Sequence, residues 1–142
     1  MFISKYKYYD LCDKAKINEE LEKQIEILEN RITGTTTVLD IGTGSGILAI
    51  AADLLGAKSA IGVDIDAQSV KTAIANAEIN GVSEKTEFLV GDLADKISGK
   101  YDIVCANIVA DVVIRLFDNV ADFMKDDGIL IVSGIIDMRA AE

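Results

Sequence analysis

Between Ile17 and Ile32 the apolar residues Leu21, Ile25, Leu28 and Ile32 recur at intervals of four, three and four, with Glu19, Glu20 and Glu22 following Asn18. This period predicts an amphipathic helix, N-capped by Asn18 and opened by acids that suit its dipole. The preceding "MFISKYKYYDLCDKAK" shows no clean period and reads as an arm. From Val38 the rhythm changes to short β-rich runs alternating with helix-length ones: "TVLDIG", "GILAIAADLLGA", "SAIGVDI" and "DAQSVKTAIANAEINGV". It continues through "TEFLVGDL", a link "ADKISGK", "YDIVCANI", a helical pattern "ADVVIRLFDNVADFMKDDG" and "GILIVSGII". Gly56, Gly81 and Gly128 each stand where a helix is expected to stop. The strand runs are continuously apolar, as in strands covered on both faces, and their alternation with helices predicts a doubly wound, mostly parallel α/β sheet of five strands. Residues 1–36 form the expected arm and helix, and 37–142 one ligand-binding domain.

The first strand runs into "VLDIGTGSG", where Gly42, Gly44 and Gly46 alternate behind Asp40. Ligands of open α/β sheets bind at the carboxyl ends of the strands, where such a turn lies. Gly42 and Gly44 suit a tight turn that admits a ligand to the backbone, and Gly46 suits close packing of the helix on the strand. Asp64 closes the second strand in "GVDID" about 20 residues further on, where a carboxylate accepts from both hydroxyls of a ribose. Asp66 is better read as the N-cap of the next helix. Dinucleotide turns read G-x-G-x-x-G and hold a pyrophosphate, whereas here the pattern is D-x-G-x-G-x-G, and a carboxylate at Asp40 repels pyrophosphate but attracts an ammonium. A ribose at one end and an amino acid at the other describe S-adenosylmethionine. No Gly-Lys-Ser/Thr follows the turn, which excludes a P-loop. Asp92 and Leu93, at the end of the third strand, are placed to take the adenine amine on a carboxylate and to offer a backbone amide to the ring. Asn107, closing the fourth strand, is placed to orient the methionine end or an incoming nucleophile.

Composition narrows the picture. The 142 residues contain 14 Lys and Arg against 24 Asp and Glu, a formal charge of −10, which opposes a direct grip on nucleic acid and favours a basic protein as partner. No His is present, and the two cysteines, Cys12 and Cys105, offer no zinc spacing. Cys105, within "YDIVCANI", reads as a buried small hydrophobe. Unpaired thiols, and no run long enough to cross a bilayer or serve as a signal peptide, lead to the expectation of a cytoplasmic protein without a membrane role.

The stretches "VLDIGTGSGILAIAADLLGA", "AIGVDIDAQSVKTAIANAEINGV", "ANIVADVV" and "DDGILIVSGII" resemble the cofactor domain of the ribosomal protein L11 methyltransferase family, over about Val38 to Ile136. The resemblance implies a Rossmann-like class I methyltransferase fold with strand order 3-2-1-4-5, and methylation of amino groups, on Lys or an N-terminus, of a large-subunit ribosomal protein. By motif match it places Gly42, Asp64 and Asn107 on cofactor-binding positions, with Asp40, Gly44, Ile65 and Asp92 supporting them. Three departures accompany it. The family's N-terminal recognition domain has no counterpart beyond the arm and helix, "ITGTTT" does not map onto the family's Gly-Thr-Gly-Thr-His-Pro-Thr-Thr segment, and the family's C-terminal strands are missing. The expected consequence is an apolar, Pro-free edge at "GILIVSGII" that pairs two copies into a homodimer. Two rival readings are a noncatalytic module that senses S-adenosylmethionine or S-adenosylhomocysteine, and a NAD-type oxidoreductase domain.

Overall fold

The computed structural model describes residues 19–93, 95–107 and 110–133. The arm, Asn18, Cys12, Ile135 and Ile136 lie outside the described residues. The elements run α1 (Glu19–Arg31), β1 (Thr37–Ile41), α2 (Ile47–Leu54), β2 (Ser59–Asp64), α3 (Ala67–Ile79), β3 (Thr86–Val90), β4 (Tyr101–Asn107), α4 (Ala110–Phe117), a 3₁₀ turn (Val120–Asp122) and β5 (Met124–Ser133). The five strands form one sheet in the order β3-β2-β1-β4-β5, and every pairing is parallel.

Successive residues of a strand face opposite sides of a sheet, so the apolar runs supply two cores at once. Val38, Ala60, Phe88, Ile103 and Cys105 face one side, packed with Ile25 and Leu28 of α1, Leu48 of α2 and Val70 and Ala73 of α3. Leu39, Ile41, Val63 and Val104 face the other, packed with Leu116 of α4 and Phe123. The apolar stripe of α1 is therefore part of the sheet's own core, with Leu28 wholly buried. Full burial of such a side chain stabilises by about 2 kcal/mol.

The expected caps are present at α3, where the Asp66 carboxylate accepts from the Gln68 amide at 2.9 Å. Gly56 and Gly81, just past α2 and α3, have φ of 104° and 72°. Gly128 is a correction. The helical pattern expected to run up to it breaks after Phe117, and β5 begins at Met124, so Gly128 lies inside a strand. There the pairing of β4 with β5 shifts register between Tyr101 and Ile103, and a β-carbon on Gly128 would come within 3.0 Å of the Asp102 and Lys125 carbonyl oxygens. This glycine serves a close backbone approach at an irregularity in the ladder, a job that helical periodicity does not reveal.

Candidate functional site

The carboxyl ends of β1, β2, β3 and β4 open into a cleft of about 340 Å³. Its lining comprises Ile41 and Gly42 from β1 and its turn, Val63, Asp64 and Ile65 from β2, Gly91, Asp92 and Leu93 beyond β3, Asn107 from β4, and Val112 and Arg115 from α4. Parallel topology is the reason these residues meet: every strand end points the same way, so residues scattered along the sequence share one edge of the sheet. Six of the expected site residues, Gly42, Asp64, Ile65, Asp92, Leu93 and Asn107, line this one cleft. Asp40, Gly44 and Gly46 do not line it.

The glycine turn is held from within. Gly42, Gly44 and Gly46 have φ of 74°, 57° and 86°, a region that costs other L-residues about 1 kcal/mol or more. The amides of Gly42 and Thr43 both donate to the Val63 carbonyl at 2.9 Å, and that of Gly46 donates to the Thr43 carbonyl at 2.9 Å. The Gly44 amide donates to Asp64 Oδ2 at 2.9 Å, while Asp64 Oδ1 accepts from the Asp66 amide at the same distance. The Asp64 carboxylate thus ties the turn to the start of α3, and two backbone donors fix its orientation at the cleft wall. A β-carbon on Gly46 would meet Ala73 Cβ, Phe88 Cζ and Ile50 Cδ1 at 3.0 to 3.2 Å. Its close packing is therefore against α3 and β3 as well as against its own helix, where packing of that helix on the first strand was expected.

Asp40 sits beneath the turn on the α2 side of the sheet, with 1% of its surface exposed. Its Oδ2 accepts from the Thr43 hydroxyl at 2.8 Å, and Oδ1 has no hydrogen-bond partner among the described residues. Burial pushes its carboxyl up to about 7; the Thr43 hydroxyl and the nearby Ala49 amide offset this in part, and the Asp64 charge adds to it. In register beside it lie Cys105 on β4 and Gly62 on β2. Cys105 is wholly buried, as expected, and burial followed by the neighbouring Asp40 charge drives its thiol well above the usual range. Gly62 leaves the space in which Thr43 sits, since a β-carbon there would lie 2.6 Å from Thr43 Oγ1 and from Phe88 Cδ1.

The opposite half of the cleft is built from exposed side chains. Asp92 Oδ2 pairs with Arg115 Nη2 at 3.0 Å, with both side chains about half exposed. The Asp92 amide donates to Asp95 Oδ1 at 3.1 Å, closing a turn in which Leu93 has φ of 53°, the one positive value outside glycine among the described residues. A leucine in that conformation is strained. Ile65, 73% exposed, supplies an apolar wall. Thr43, Gly62, Val112 and Arg115 were not anticipated. Arg115 and Asp92 are 23 residues apart on different elements, a distance at which no sequence period links them. The threonine inside "GTGSG", three residues past Asp40, was the one legible signal. Among the described residues no cluster of His, Cys, Asp and Glu could hold a metal ion, and no helix is long and apolar enough to cross a membrane.

A family model described as ribosomal protein L11 methyltransferase (PrmA) matches residues 22–142. Proteins named ribosomal protein L11 methyltransferase from Bacillus pumilus and Alkaliphilus oremlandii are 44% and 49% identical to the chain, over 81% and 79% of its length. The chain spans just over a third of their own lengths, 37% and 36%. A crystal structure of a ribosomal protein L11 methylase from Lactobacillus delbrueckii subsp. bulgaricus superposes with a TM-score of 0.78 at 35% identity, covering 87% of this chain and 65% of that one. A methyltransferase from Thiobacillus denitrificans in complex with S-adenosyl-L-homocysteine shares the fold, with a TM-score of 0.69 at 24% identity over 87% of this chain and 53% of that one. By sequence, strand order and structure alike, the chain belongs to the ribosomal protein L11 methyltransferase family.

Proposed function

We propose that the cleft binds S-adenosylmethionine and that the chain serves methylation of amino groups, on Lys or an N-terminus, of a large-subunit ribosomal protein, within the cytoplasm. The observation that carries the reading is the internal use of the turn's amides. Four of them, on Gly42, Thr43, Gly44 and Gly46, are already bonded, one of them to a carboxylate. A pyrophosphate, with two negative charges, needs those amides free and finds Asp64 in their place, whereas an amino-acid tail carries an ammonium that offsets its single carboxylate and suits a wall that bears an acid. The cleft's volume lies within the ordinary range for small-ligand sites.

In this reading the remaining lone pairs of Asp64 accept from the ribose hydroxyls, Ile65 covers the sugar and base, and Asp92 with the Leu93 amide reads the adenine edge. Gly42 leaves room for the methionine end. Asn107 orients that end or the incoming amine, a neutral side chain that donates and accepts without competing for the proton. When bound, the cofactor supplies a methyl group on a sulfonium, open to in-line displacement by a neutral amine. The chain's part is placement, and the amine's proton passes to water. Asp40 and Gly46 support the turn from behind, and residues 37–142 act as the cofactor domain with 1–36 as arm and helix. Methyl transfer by the isolated chain is expected to be weak, since it spans little over a third of its relatives' length.

Isothermal titration with S-adenosylhomocysteine and with NAD tests the site: micromolar or tighter binding of the first and none of the second is expected, and comparable NAD binding rejects the reading. Labelled methyl transfer to purified ribosomal proteins separates an enzyme from a sensing module, which would bind the cofactor and leave every protein unlabelled. β5 lies at a sheet edge among the described residues. Its pairing in a homodimer is expected to appear in sedimentation and to weaken with Ile131→Lys; a strictly monomeric chain at high concentration rejects it.

A further inference from the structure

Arg115 is the one cation among the described residues of the cleft, and the cofactor reading leaves it without a task. We infer that Arg115 is a positioning residue: it holds the Asp92 carboxylate in place for the adenine exocyclic amine, so that base selectivity at the end of β3 is set from α4. The inference deepens the cofactor reading and rests on it.

Topology makes the pairing informative. β2 and β1 lie between β3 and β4 in the sheet, so Asp92 and α4 approach the cleft from opposite sides of it. The Arg115–Asp92 contact at 3.0 Å therefore bridges the cleft's two flanks. Asp92, Leu93 and Arg115 also line a second, polar cleft of about 490 Å³ beside Asp95, Asn119 and Asp122. The ion pair is thus a wall between the two spaces. Without it, Asp92 would be free to turn toward water on the far side, where it would present nothing to a base.

The contact also divides the labour of the carboxylate. Arg115 Nη2 donates to Oδ2, and in this inference Oδ1 takes the adenine amine. A guanidinium suits this task because its planar fork fixes the direction of the contact, which a lysine ammonium does less well. The Asp92–Asp95 turn already restrains the backbone, so the side-chain torsion is the remaining freedom that Arg115 removes. An ion pair this exposed contributes little to folding, so its removal is expected to leave the fold intact and to be felt in the cleft.

The test compares S-adenosylhomocysteine with S-inosylhomocysteine, which carries a carbonyl oxygen where adenine carries its amine, by titration calorimetry on the whole chain. The unaltered protein is expected to favour the adenosyl compound by about tenfold or more, since an acceptor facing a carboxylate is rejected. Arg115→Ala is expected to weaken adenosyl binding by about fivefold, to leave inosyl binding unchanged and so to erode the ratio, with Arg115→Lys restoring part of it. Equal losses for both compounds would mean that Arg115 touches the ligand directly or only supports the fold, and would overturn the inference. Asp92→Ala separates the two layers of the argument. If it abolishes the ratio while Arg115→Ala leaves it intact, the positioning role alone is wrong; if Asp92→Ala keeps the ratio, the adenine reading fails and the positioning role with it.

Discussion

The two halves of the cleft are built on different principles. The half formed by β1 and β2 is backbone held by backbone and by one carboxylate: glycine amides bond to Val63 and Asp64, over a buried row of Cys105, Asp40 and Gly62. The half formed by β3, β4 and α4 is side chains held by one exposed ion pair and a short turn. Several mutually supporting backbone bonds over a buried row exclude alternatives, because breaking one leaves a partly buried donor without its partner. An exposed pair adds little to folding, so what it holds is felt in the cleft and not in stability. The first half is therefore tied into the fold, and the second is set by side chains that can be changed without unfolding the chain.

The comparison breaks most sharply at Gly62. Gly62→Ala would drive a methyl into Thr43 and Phe88, where contacts of 2.6 Å leave no room, and a loss of about 3 kcal/mol in folding stability is expected. Urea denaturation measures it, and a change below 1 kcal/mol would show that the row yields more easily than its geometry implies. Asp64→Ala removes the acceptor for the Gly44 and Asp66 amides and, in the proposed reading, for the ribose, so S-adenosylhomocysteine affinity is expected to fall by about 100-fold, or roughly 3 kcal/mol. Unchanged affinity would place the ribose elsewhere.

A pH profile sharpens the contrast further. Asp40 and Asp53 both have carboxyls pushed up to about 7 by burial, with the Lys85 charge opposing the shift at Asp53. A carboxyl that holds its proton more tightly when folded stabilises fully below its unfolded value, near 4. That contribution is lost as pH rises toward 7 and changes little beyond. Stability is therefore expected to decline by a few kcal/mol between pH 4 and pH 8, and Asp40→Asn to flatten part of the decline and to be the more stable protein at pH 8. Thermal melts across that range check it, and an identical slope in the variant would assign the titration to Asp53 alone. The smallest effect is expected in the second half, where Asn107→Ala is predicted to cost about 1 kcal/mol in cofactor affinity while leaving the melting temperature unmoved. A large drop in melting temperature would make Asn107 a structural residue.

Most of the first half was legible along the chain because its parts lie close in sequence and obey local rules. Glycines with positive φ mark the turn, an acid ends the next strand, and Asp66 caps α3 as its position before a helical run requires. The failure at Gly128 has the same root: a glycine after a helical period reads as a stop, and only the register shift against β4 shows that the backbone there needed the space. Asp40 shows the limit in another way. Its place in D-x-G-x-G-x-G is plain, but whether the carboxylate faces a ligand or the core depends on strand parity, and parity puts it with Val38 on the buried α2 side.

The order of hydrophobic runs, glycines and acids by itself determined an α/β sheet with parallel strands and a glycine turn at its carboxyl edge, because these follow from local periodicity and short spacings, while the resemblance of whole stretches pointed to the family. Only the tertiary structure decided that the turn's amides are spent on Val63 and Asp64, that Gly62 makes room for Thr43, and that Arg115 reaches Asp92 across the cleft. Those contacts join residues on separate elements, and their distances depend on how strands stack and helices dock, which no window along the chain contains.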